Sequence, residues 1–250
     1  MTIPGLQLGI RSATTMTKAP AIAQPPAPGR TAASANRPAR AKSRQRVNRL
    51  SQKSHPSLTF RGMRMPEIRI ACPDWVEEAV DWDATYGDDE ARMRVALACA
   101  RENVLRDTGG PFGAAVFNDA GRLVAVGVNL VVPLNNSSLH AEIVAFMMAQ
   151  AALGSFTLGS SDLSAHEIHT SCEPCAMCLG AVLWSGVRRV VWSATRADAD
   201  RISFDEGPVF AASYDYLRAR GIEFRGGVLR AEGQGVLNLY GERGGTIYNA

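Results

Sequence analysis

The chain has 250 residues, 46% of them apolar, and a formal net charge of only +3. That total hides a split: residues 1 to 70 carry 13 Lys or Arg against one acid, Glu67, which leaves 14 bases and 23 acids for residues 71 to 250. No apolar run reaches 18 residues and no basic-then-apolar leader is present, so the composition argues against a spanning helix or a secretory signal and gives the expectation of a cytoplasmic protein without a membrane partner.

In chain order, residues 1 to 70 are rich in Ala, Pro, Ser and Arg and nearly free of aromatics before Phe60. Such a stretch buries too little apolar surface to offset the entropy of ordering, so a disordered basic tail is predicted ahead of a folded domain over 71 to 250. Its charge suits nucleic acid or an anionic surface. Its Arg-rich, acid-poor composition is also that of an organellar transit peptide. A solvated extension upstream of a start at Met63 or Met65 fits equally.

From 88 to 107, Met93, Leu97, Ala100 and Val104 recur at helical spacing, and Thr108-Gly109-Gly110-Pro111 closes the predicted helix. "FGAAVFND" and "RLVAVGVNLVV", split by Asp119-Ala120-Gly121, read as a hairpin. "HAEIVAFMMAQAALG" is apolar all round from Ile143, as a buried helix is. "HEIHTS" reads as a strand, and a helix is predicted from Pro174 to about Trp184. "RRVVWSA", "PVFAASYDYLRARG" and "IEFRGGVL" read as strand, helix and strand. A hairpin followed by alternating strands and helices implies a mixed sheet covered on both faces.

Three of the five cysteines, Cys172, Cys175 and Cys178, lie at spacings of three. In a reducing compartment such clusters are metal ligands or reactive groups more often than disulfides. With Pro174 suited to a first helical turn, Cys175 and Cys178 project from one face near the positive end of the dipole, which favours thiolates. His140 is the best third donor. Three protein ligands leave a position for water, the mark of a catalytic zinc, and Glu142 stands two residues on as a general base. A fourth ligand from Cys172 or His169 would instead make the zinc structural. An iron-sulfur reading of the cysteine series lacks the fourth cysteine of the usual run.

"HAE" at 140 to 142 with "SCEPCAMCLGA" at 171 to 181 resembles the cytidine deaminase-like superfamily of zinc deaminases. "GGPFGAAV" at 109 to 116 and "FDEG" at 204 to 207 are similar to its guanine deaminase branch, and the likeness covers roughly 88 to 226. The resemblance implies an α/β three-layer αβα sandwich with a mixed central sheet, one Zn2+ per subunit held by His140, Cys175 and Cys178, and a homodimer. It implies hydrolytic removal of an exocyclic amine from a nucleobase or nucleoside, guanine leading, with Glu142 moving the water's proton to the ring and then to the leaving amine. Asn129, Phe112, Trp184 and Glu206 match substrate-contact positions, with Asp205 a rival to Glu206. A C-terminal segment that closes over the site brings an aromatic in that branch, for which Tyr248 and Tyr240 compete. The alternatives are a tRNA adenosine deaminase that uses the basic tail for nucleic acid, and a non-catalytic protein with a structural zinc.

Overall fold

A computed structural model describes residues 65 to 249, so the expected basic tail lies outside the described residues as far as residue 64. Just beyond it, Ile70 and Cys72 already pack against the core.

The chain opens with a short helix α1 (Trp75–Ala79) and then α2 (Asp89–Leu105). Asp88 caps α2 by accepting from the Ala91 N–H at 2.8 Å, and Asp89 and Glu90 complement the positive end of its dipole. Met93, Leu97, Ala100 and Val104 all turn into the core, as their spacing demands. The hairpin follows as β1 (Gly113–Asn118) and β2 (Leu123–Val128), with Gly121 at φ 74° in its turn. β2 stops at Val128, short of the apolar run that continues to Val132. The reason is Asn129, whose side chain accepts from the Val131 N–H at 3.3 Å and starts the chain turning.

Next come α3 (Ala141–Leu153), β3 (His166–Cys172), α4 (Ala176–Ser185), β4 (Arg189–Ala194), α5 (Arg196–Asp200), α6 (Ala211–Arg218), β5 (Glu223–Arg225) and α7 (Arg230–Glu242). The sheet order is β2-β1-β3-β4-β5; β1 is antiparallel to β2 and β3, and β3, β4 and β5 run parallel. Side-chain alternation splits the core. Ala115, Phe117 and Val191 face α1 and α2, while Ala114, Val116 and Val190 face α3, α4 and α6, with α7 packed on β4 and α2. The result is the expected three-layer αβα sandwich.

Two local expectations are corrected. α3 is not buried all round, because Met147, Ala151 and Ala152 face outward. The helix carrying the cysteines begins at Ala176, so Pro174 precedes its cap and Cys175 is the cap itself. β2 and α3 touch almost backbone to backbone. A Cβ at Gly127 would stand 2.2 Å from the Ala141 carbonyl oxygen and 2.3 Å from the Ala145 nitrogen.

Candidate active site

The starts of α3 and α4 meet beside the carboxyl end of β3. His140 caps α3 in an extended conformation, and Cys175 caps α4 with its Sγ accepting from the Cys178 N–H at 3.4 Å. These caps face each other, with Cys175 Sγ 3.5 Å from His140 Nδ1. The ligating atoms of His140, Cys175 and Cys178 all lie within 4.8 Å of one another. Two sulfurs and one imidazole nitrogen, converging from rigid helix ends, form a donor set that suits zinc. The neighbouring Cys178 thiol is the main cause that lowers Cys175 to about 4, followed by the His140 ring against the opposing effect of burial. Cys178 is raised, mainly by the same contact.

Glu142 is buried on the first turn of α3, and burial pushes its carboxyl up to about 6. It lines a narrow cavity of about 10 Å³ together with Phe112, His140, Cys172, Glu173, Glu206, Tyr248 and Asn249. Burial likewise pushes Glu206 up to about 8. The Glu206 carbonyl accepts from the Ala176 N–H at 3.0 Å, which ties the 204 to 207 loop to the start of α4. Asp205 turns outward instead, its Oδ1 accepting from the Gly207 N–H at 2.8 Å.

Phe112 lies edge-on to Phe204, with centroids 5.1 Å apart. Asn129 is fully buried and its Nδ2 donates to the Tyr248 hydroxyl at 2.7 Å. Tyr248 enters the site, edge-on to His140 at 6.1 Å, whereas Tyr240 anchors the terminal segment by donating to the Thr246 carbonyl at 2.7 Å. The structure does not bring Trp184 to the site: its side chain is 78% exposed. It stands six residues after Cys178, about 240° round the helix from the inward face, so it points to the outer surface.

The fourth-ligand alternatives fare poorly. His169 is fully buried elsewhere on β3, with Nε2 3.0 Å from a Glu167 carboxylate oxygen and its ring edge-on to Phe117. Cys172 lines the cavity but donates to the Thr195 carbonyl at 3.5 Å, while Cys99 on α2 and Cys72 pack in the core on the α2 side of the sheet. Asp89, Glu167 and His169 form a second close group. Its carboxylates are already taken by Arg92, Arg189 and Arg225, so it is an ion-pair cluster rather than a metal site.

Glu173 and Asn249 also line the cavity, and neither was singled out from the sequence. Glu173 sits within the cysteine loop: Tyr214 donates to its Oε1 at 2.8 Å, and the Arg196 guanidinium lies 3.0 Å from the same oxygen. The Arg196 Nη1 also donates to the Pro174 carbonyl at 3.5 Å, clamping the loop next to Cys175. The only hint in the sequence was a carboxylate placed between two cysteines.

Residues 87–194 match the profile described as the cytidine and deoxycytidylate deaminase zinc-binding region. A guanine deaminase of Bacillus subtilis is 40% identical over 119 residues, covering 48% of this chain and 71% of the relative. A solved guanine deaminase from Nitrosomonas europaea is similar with a TM-score of 0.68 and 42% identity, over 72% of this chain and 100% of that one. A relative crystallised with 2,6-diaminopurine gives a TM-score of 0.68 at 44% identity, over 72% of this chain and 96% of that one. A tRNA-specific adenosine deaminase of Haemophilus influenzae is 32% identical over 145 residues, covering 58% of this chain and 78% of the relative.

Proposed function

We propose that this chain, which belongs to the cytidine deaminase-like superfamily of zinc deaminases in its guanine deaminase branch, hydrolyses guanine to xanthine and ammonia. The observation that carries this reading is the convergence of His140, Cys175 and Cys178 beside the buried carboxyl of Glu142, in one cavity with Phe112 and Glu206. His140, Cys175 and Cys178 are the residues that hold the zinc. When bound, zinc supplies the Lewis acidity that makes water nucleophilic near neutral pH.

Glu142 does the proton work. A carboxyl raised by burial towards neutrality both takes a proton from water and gives it back. It delivers one of water's two protons to the ring nitrogen beside the amine-bearing carbon, and then carries the second, from the hydroxyl formed there, to the departing amine. Water's oxygen remains on the ring as the new oxo group, so guanine and water become xanthine and ammonia. Phe112 packs on the base, and Asn129 and Glu206 bond its polar edge. At about 10 Å³ the cavity holds no purine while Tyr248 fills it, so the C-terminal segment withdraws to admit the base and closes again behind it.

The partner in this reading is a second copy of the chain. Phe210 and Tyr216, 65 and 50% exposed, line a groove of about 440 Å³ between α4 and α6, and Trp184 and Met177 on α4 are also exposed. An apolar face of that kind is an interface signal. A tRNA substrate is the second reading, favoured by the identity to the adenosine deaminase, but the 23 acids against 14 bases of residues 71 to 250 oppose a polyanion unless the tail compensates.

A panel of guanine, adenine, cytosine, their nucleosides and tRNA, scored for ammonia release, separates these readings. Guanine is expected to be turned over fastest. Glu142→Gln is expected to keep its zinc and lose about 10²- to 10⁴-fold in kcat. Full turnover in that variant sinks the proton-shuttle assignment, and no release from guanine sinks the substrate.

A further inference from the structure

We propose that Asn103, at the end of α2, is a positioning residue for base recognition that acts by fixing Asn129 and the Gly109-Gly110 loop. The inference rests on the reading of Asn129 as a contact to the base. Asn103 has no exposed surface. Its Nδ2 donates twice, to the Gly110 carbonyl at 2.9 Å and to the Asn129 carbonyl at 3.0 Å. Its Oδ1 accepts from the Thr108 hydroxyl at 2.8 Å, and that hydroxyl in turn accepts from Trp75 Nε1 at 3.1 Å.

The arrangement answers a specific problem at the end of the hairpin. β1 and β2 are joined by their ladder as far as Gly113 and Val128, and one more rung runs from the Asn129 N–H to the Phe112 carbonyl at 3.1 Å. Beyond it two carbonyls, of Gly110 and Asn129, turn to the same side. A primary amide is the side chain that gives two hydrogens from one nitrogen, so Asn103 bridges both. Thr108 fixes which end of the amide faces them.

The loop is pressed tightly against this bridge. A Cβ at Gly109 would lie 2.0 Å from the Asn129 carbonyl oxygen and 2.6 Å from Asn103 Nδ2. One at Gly110 would lie 3.0 Å from Asn129 Oδ1 and 3.3 Å from the Tyr248 ring. The backbone held by Asn103 is therefore the surface on which the Asn129 side chain rests as it reaches into the site. Nothing in the 3.6-residue pattern of α2 marks position 103. A polar residue there, one step before the apolar Val104, looks like the edge of the solvent face.

A kinetic cycle tests the proposal, using the zinc-loaded full chain and the base that the wild type turns over fastest. Asn103→Asp keeps the shape but sets a carboxylate against two carbonyls. It is expected to lower kcat/KM by about 10- to 100-fold, chiefly through KM, with zinc still at one per chain. If Asn103 acts through Asn129, adding Asn103→Asp to Asn129→Ala costs at most about threefold more. Where turnover is too slow, equilibrium binding of the same base completes the cycle. Thr108→Val, a milder change, frees the amide to rotate and is expected to lose about 3- to 10-fold, again only when Asn129 is present. Losses that multiply in either double variant overturn the proposal. Because the cycle uses the best base of the panel, a wild type that prefers another base refutes guanine as substrate and leaves the positioning test readable.

Discussion

Gly127→Ala asks whether the closeness of β2 to α3 is what places the helix start that carries His140 and Glu142. The new methyl carbon would arrive 2.2 Å from the Ala141 carbonyl oxygen, 2.3 Å from the Ala145 nitrogen and 2.9 Å from the Ala145 Cα, all of them backbone atoms. Relief to an ordinary 3.4 Å contact requires strand and helix to part by about 1.2 Å. Cores resist such insertions at a cost of about 1 to 3 kcal/mol. For a domain of this size that lowers Tm by about 2 to 4 °C per kcal/mol. The functional effect is expected to be larger, because Ala141 lies between His140 and Glu142, so moving the first turn of α3 displaces the proposed zinc ligand and the proposed proton carrier together. A displacement near 1 Å in a reacting geometry costs about 10²-fold in rate.

The assay is calorimetric Tm, zinc affinity by chelator competition, and kcat/KM on one preparation. Gly235→Ala in α7 is the control: nothing lies within 4 Å of its Cβ, so it is expected to keep full activity and gain about 0.5 to 1 kcal/mol. Wild-type kcat/KM and zinc affinity in Gly127→Ala would refute the argument that backbone contact sets the site.

Arg196→Ala releases the clamp on the Glu173-Pro174 backbone and is expected to weaken zinc binding about 10- to 100-fold, with Arg196→Lys between it and wild type in the same competition titration. A pH effect follows from the ion-pair cluster. Arg189 holds Asp89 at about 2 against an ordinary 3.8. Glu167 likewise sits at about 2 against 4.5, where its bonds to His169 and Arg189 outweigh the burial that opposes them. Both values are lower folded than unfolded, so this stabilisation is complete above about pH 4.5 and is lost as pH falls towards 2. Asp89→Asn is expected to cost about 1 to 2 kcal/mol at pH 7 and to flatten the acid limb of an unfolding series; an unchanged limb contradicts it. Glu206 has the opposite sign, raised by burial from 4.5 to about 8. Metal-free Glu206→Gln is therefore expected to gain on wild type as pH rises through that range and to match it near pH 4.

The zinc-binding pattern was legible because it is local. A cysteine at a helix cap with a second three residues on is fixed by the geometry of one helical turn, whereas His140 joins the pair only because α3 and α4 start side by side. Periodicity likewise reveals the inward face of α2, and the Asn118 to Gly121 turn the hairpin. α7 escaped notice because Gly233, Gly235 and Gly241 dilute its helical signal, and Gly233 is there to let the helix lie on Ser193 and Ala194 of β4. α1 and α5, at five residues each, are too short to show a period.

What folding alone decided is the facing of side chains whose neighbours are distant in sequence. Asp205 and Glu206 are chemically alike, yet one bonds its own turn and the other lines the cavity. Tyr248 rather than Tyr240 reaches Asn129, across 119 residues of chain. Trp184 shares a helix with Cys178 but turns outward to the surface, and Asn103 finds carbonyls on two loops that only tertiary packing brings together. Cap chemistry and periodicity act over a few residues and are written along the chain. The substrate side of the site is made of contacts between segments, which exist only once α2, the hairpin and the C-terminal segment have packed.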